Sequence, residues 1–155
     1  MPTDVRPQTR PALVIVLVLT AVVGLCYIGY SVLHPHGVSG GAVASVRGDG
    51  IRIVETAQDT NPTNEWTNTY LLIEADGADP VERVASALAA NGWIVRREGA
   101  APGLVLRADR KDAGLTLVTY TEFQSASQDV PKVVSAFEHK GTAKSNVFVA
   151  ILMPY

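Results

Sequence analysis

The amino-acid sequence predicts an α+β fold: one N-terminal transmembrane helix, then a small domain with a mainly antiparallel sheet and two helices on one face. Three observations predict it. Residues 12–33 form an apolar run without a single charge. From Ile51 onward, short apolar or alternating segments recur between Gly, Pro and Asp turn residues. Two further stretches, around Val84 and Val133, repeat apolar residues at helical spacing.

The chain has 155 residues, enough for one modest domain. Its 13 basic and 15 acidic side chains give a net charge of −2, which provides no electrostatic footprint for nucleic acid. One cysteine excludes an internal disulfide framework and a Cys-cluster zinc site, and no motif points to a cofactor. The mean hydropathy of +0.17 averages two regimes. Residues 12–33 are strongly apolar, and the remainder comes to about −0.2 per residue, an ordinary soluble value.

At ~1.5 Å per residue, a helix over 12–33 would be ~33 Å long, matching a hydrocarbon core of ~30 Å. Tyr27 and Tyr30 fall near its end, where phenol rings favour the headgroup boundary. The run is longer than the core of a cleavable signal peptide, and no A-x-A-like site follows Leu33. Cys26 is preceded by Leu25 where a lipidation motif wants a small residue. Arg6 and Arg10 precede the run against Asp4, whereas only His34 and His36 follow it closely. The positive-inside rule then makes residues 1–11 a cytoplasmic N-terminus and the run an uncleaved signal-anchor. The rest lies outside the cell membrane, as in a cell-envelope protein. Residues 34–50, rich in Gly, Ala and Ser, read as a flexible tether, and residues 51–155 as the extracytoplasmic domain.

Within that domain, residues 51–55 read as a strand, 58–68 as a polar loop, and 70–73 as a strand covered on both faces. A helix follows. Asp79 is placed to cap it, Pro80 suits its first turn, and Glu82 completes a capping box. Val81, Val84, Ala85 and Leu88 form its stripe, and Asn91-Gly92 its stop. Residues 93–98, 104–109 and 115–123 read as a three-stranded meander. Val130, Val133, Val134 and Phe137 mark a second helix stopped by Gly141, and 147–152 a strand in the middle of the sheet. The order β-β-α-β-β-β-α-β loosely resembles a ferredoxin-like arrangement, with Trp93, Leu117, Phe137 and Phe148 in one core.

Chemistry-bearing patterns are few. Gly37-Val38-Ser39-Gly40-Gly41 matches G-x-S-x-G, but in a tether with neither strand nor helix around it. His34 and His36 lack a third metal ligand nearby, and His139 suits a helix C-terminus. No catalytic, cofactor-binding or metal residue is assigned. The residues expected to contact a partner are Trp66, Arg107, Arg110 and Lys111, as an exposed aromatic and a basic cluster interleaved with Asp109 and Asp112. These readings describe a single-pass membrane-anchored protein presenting a small binding domain. Its expected partners are membrane lipid through residues 12–33, and an envelope protein or cell-wall component. A small tethered enzyme using carboxylates such as Glu122 or Glu138 is an alternative. A membrane subunit assembling through its span, at Thr20 and Gly24, is another.

Overall fold

An apolar run such as 147–152 needs cover on both faces, and it finds it inside a sheet, flanked by antiparallel neighbours on either side. The computed structural model describes residues 36–61, 66–97, 103–126, 128–140 and 144–155. The expected span 12–33, its flank 1–11, His34 and the Gly141 helix stop lie outside the described residues. The described elements are β1 (His36–Gly37), α1 (Gly40–Ala44), β2 (Ile51–Asn61), β3 (Trp66–Ala75), α2 (Pro80–Ala90), β4 (Ile94–Arg97), β5 (Leu104–Arg110), β6 (Ala113–Thr119), α3 (Tyr120–Ala126), α4 (Pro131–Glu138) and β7 (Val147–Pro154). The fold is α+β. The sheet runs β2-β3-β7-β6-β5-β4 with every neighbour antiparallel, and β1 adds two parallel pairs at the start of β3.

Register puts Leu71, Ala150, Leu117 and Leu106 in one row across four strands, on the face covered by Val84 and Leu88 of α2. One residue along, Leu72, Val149 and Val118 form a row on the opposite face. That face packs against Tyr120 and Phe123 of α3 and Val133 and Phe137 of α4. The helices therefore lie on both faces, which corrects the expectation of two helices on one face and of a loosely ferredoxin-like arrangement. The reason lies in β3 and β7, which are apolar at consecutive positions. Helices on one side alone would leave Leu72 and Val149 in water, at about 1.5–3 kcal/mol per side chain. Trp93, Leu117 and Phe148 share the α2-side core, whereas Phe137 belongs to the other, 5.9 Å from the Phe123 ring.

The described part of the segment expected as a flexible tether is built into the domain. Ala42 and Val46 are fully buried in the α2-side core. The Trp93 indole donates to Ser45 Oγ at 2.8 Å. The Asn91 side-chain amide, just past the C-terminus of α2, donates to the Ser45 and Arg47 carbonyls at 3.0 and 2.8 Å. The domain boundary accordingly moves from 51 to His36. Small residues here serve close approach instead of flexibility. A Cβ on Gly48 would lie 2.5 Å from Ala87 Cβ, so only glycine lets this segment touch α2.

Two other boundaries differ. The polar stretch 58–68 is mostly strand, because its side chains pair across the hairpin, as Thr60 does with Thr67 at 3.0 Å. A bulge at Ile53/Glu55 resets the alternation of β2. The alternating run 115–123 ends as strand at Thr119, whose hydroxyl accepts from the Glu122 amide at 3.3 Å and starts α3. The α2 signals behave as expected, with Asp79 Oδ1 accepting from the Glu82 amide at 2.9 Å.

Replacing Trp93 with Ala removes the contact between α1, α2 and the sheet, and should lower the unfolding free energy of the domain by ~3–5 kcal/mol. Ser45→Ala leaves the indole N–H without its acceptor and should cost ~1–3 kcal/mol. Denaturant titration measures both. A Trp93→Ala loss below ~1 kcal/mol would contradict the placement of this ring in the core.

Candidate functional site

Antiparallel pairing gathers particular strand ends. β1, β3, β4 and β6 begin, and β2, β5 and β7 finish, at the same end of the sheet, here termed proximal because the chain arrives there at His36. The exposed large apolar side chains of the described residues all sit at this end: Trp66 (45%), Ile94 (66%), Met153 (37%) and Tyr155 (69%). Trp66 opens β3 and Ile94 opens β4, while Met153 and Tyr155 are at the finish of β7. Strand alternation puts them on one face as well. Trp66 shares the side of Tyr70 and Leu72, and Met153 that of Val147 and Val149. Ile94 pairs with Asp109, and Asp109 with Gly114.

Tyr155 is fixed in place. Its ring lies over Gly114, where an added Cβ would come within 3.0 Å of the phenol oxygen. Its hydroxyl donates to Asp109 Oδ1 at 2.6 Å, and Arg96 approaches Asp109 Oδ2 at 3.4 Å. By accepting a hydrogen bond from the hydroxyl, Asp109 favours the protonated phenol and holds it above its ordinary value. Helices α3 and α4 pack on this same face but over Tyr70, Leu72 and Val149, leaving the proximal part open.

Of the residues expected to contact a partner, Trp66 and Lys111 are exposed at the proximal end, Lys111 in the β5–β6 turn. Arg107 is exposed on β5, across from Arg96 and Thr116. Arg110 is engaged within the chain. It lies 3.1 Å from Asp112 Oδ1 and donates to the Gly41 carbonyl at 3.3 Å. Asp112 Oδ2 in turn accepts from Ser39 Oγ at 2.7 Å. That bond, helped by the Arg110 charge and opposed by desolvation, holds the Asp112 carboxyl below its ordinary value. Arg110, Asp112 and Ser39 thus fasten α1 to the β5–β6 turn. Sequence reading missed Ile94, Met153 and Tyr155, since each borders a run that reads as core. Their signal is position: each lies at a strand end, where burial by the neighbouring strands gives out.

The patterns that suggested chemistry have structural employment. Contrary to the expectation for Ser39, β1 precedes it and α1 follows. It is nevertheless an N-cap with ordinary φ of −61°, its oxygen accepting from the Ala42 amide at 3.0 Å, not the strained residue of a nucleophile elbow. Among the described residues, no hydrogen bond or ion pair joins Glu122, Glu138 and His139, and Glu122 packs against Gly103. A groove of about 770 Å³ runs along α2, lined by Arg47, Asp49, Asp79 and Arg83 among others. Asp79 caps the helix there, Glu82 pairs with Arg97, and the Arg83 side chain lies over Gly50 and Gly77, both at positive φ. Among the described residues, no cluster of three His, Cys, Asp or Glu could hold a metal, and no helix is long and apolar enough to cross a membrane. In comparisons with known proteins, no family model, curated protein or solved structure matches the chain.

Because the Asp112 carboxyl is depressed in the fold, its contribution to stability is present above the ordinary value of 3.8 and lost as pH falls through the lower folded value. Asp112→Asn should therefore lower the denaturant midpoint at neutral pH, with the gap to the parent protein closing below about pH 4. A gap independent of pH would show that the charge of Asp112 does not fasten α1.

Proposed function

We propose that the chain is a single-pass membrane protein whose residues 36–155 form an interaction domain displayed on the outer surface of the cell membrane. One observation carries this reading: the uncharged run of residues 12–33 stops three residues before the first strand of the domain at His36. A span so placed is an anchor for the domain that follows it. The flanking charges, Arg6 and Arg10 on one side and histidines on the other, favour a cytoplasmic N-terminus. The link between anchor and domain is short. Three Cα–Cα steps from Leu33 to His36 reach at most ~11 Å, so partners are met at the membrane surface.

Interaction is favoured over catalysis by the character of the surfaces. The groove along α2 is open and lined by charges of both signs, suited to a polar chain laid along it. A small substrate would need an enclosed, mostly apolar pocket with a few convergent polar groups. An envelope protein or a cell-wall component has the required extended polar character.

Topology is tested in intact cells with a membrane-impermeant thiol reagent in a Cys26→Ser background. Ser135→Cys, on the exposed side of α4, should label, and Thr3→Cys should label only after the cells are permeabilised. The opposite pattern would overturn the outward placement of the domain, and labelling of both sites only after permeabilisation, with the protein recovered in the soluble fraction, would overturn the anchor itself.

A further inference from the structure

We propose that the proximal end of the domain rests on the phospholipid surface, with Trp66, Ile94, Met153 and Tyr155 as its apolar contacts in the headgroup region. This inference rests on the anchoring reading above and adds to it a fixed posture for the domain. The four side chains do not scatter over the surface: each sits at a strand end, all at one end of the sheet and on one face. Exposed apolar groups gathered in this way mark a contact surface, whereas single ones carry no meaning.

What covers the patch follows from where the chain outside the described residues ends. His36 pairs with Trp66, so the chain joins the sheet at the very residue that opens the patch. Two residues, His34 and Pro35, separate it from Leu33, the last residue of the uncharged run. A patch at that end of the sheet, on a link of at most ~11 Å, meets the bilayer surface before any other partner. The side-chain types agree. Trp and Tyr combine an apolar body with a polar tip and favour the interface between headgroups and acyl chains. Tyr155 is held ready by Asp109, so little freedom is lost when it makes contact.

Two of the arginines at this end are paired with carboxylates, which bears on the kind of lipid. Arg96 is paired with Asp109 and Arg110 with Asp112, while Lys111 projects from the β5–β6 turn. The contact is therefore apolar, and an uncharged phosphatidylcholine surface suffices. Anionic lipid and low salt are not required.

Fluorescence of the full chain in phosphatidylcholine vesicles tests the posture, because the chain has two tryptophans and Trp93 is buried in the core. Lipid brominated on its acyl chains should quench the Trp66 share of the emission, equally at low and high salt, and Trp66→Phe should abolish the quenching. Ile94→Asp, which changes an exposed residue and spares the core, should reduce it. Chain that floats with the vesicles while its Trp66 emission stays unquenched would overturn the lipid seat and leave the anchor standing. Chain that does not float would overturn both. Protection of Trp66 from aqueous quencher that rises with protein-to-lipid ratio, without bromolipid quenching, would assign the patch to a second copy and sink the proposal.

Discussion

Two-sided burial of β3 and β7 is the constraint on which the rest of the structure depends. Leu71, Leu72 and Ile73 are consecutive in β3 and fully buried, and 147–150 repeat the pattern in β7. Alternation sends such neighbours to opposite faces, so each strand needs a cover above and below and a partner on each edge. The remaining elements meet those needs. β2 and β6 take the outer edges of the pair, α2 and α1 cover one face, and α3 and α4 the other. The helices thereby reach only part of the second face, which leaves the proximal strand ends open.

Much of this was legible in the residues, and the failures have physical causes. The capping box at Asp79 to Glu82 and the apolar stripe through Val84 and Leu88 place α2 correctly, since local hydrogen bonds and helical spacing are sequence properties. The central position of β7 also follows from its unbroken apolar run. The face on which α4 packs does not. An amphipathic stripe shows that a helix covers something, and only the register of β3 against β7 shows that two faces need covering. Thr119 illustrates the limit of alternation: the pattern continues through Phe123, yet the Thr119 hydroxyl caps α3 and ends the strand.

Segment 36–50 departs from its expected flexibility for a different reason. Gly, Ala and Ser denote flexibility when nothing packs against them and close contact when something does, and composition does not distinguish the two. Here Gly48 admits Ala87, Ala42 and Val46 enter the core, and Ser45 receives the indole of Trp93. Of the expected contact residues, Trp66 is exposed, and its signal is an aromatic standing in a polar stretch. Arg110 stands out by its charge, but that charge is engaged inside the molecule with Asp112 and the Gly41 carbonyl. Ile94, Met153 and Tyr155 were hidden beside core runs, because exposure at strand ends is decided by which neighbouring strands extend far enough to cover them.

The central claim is that residues 42–46 and the two-faced strands form one cooperative unit. Native-state hydrogen exchange measures this directly. If the claim holds, the amides of Leu71, Leu72, Val149 and Ala150 exchange only through global unfolding, and the hydrogen-bonded amides of Ser45 and Val46 exchange with nearly the same free energy of opening. Exchange of Ser45 and Val46 at the rate of an unprotected chain, with β3 and β7 still fully protected, would contradict it.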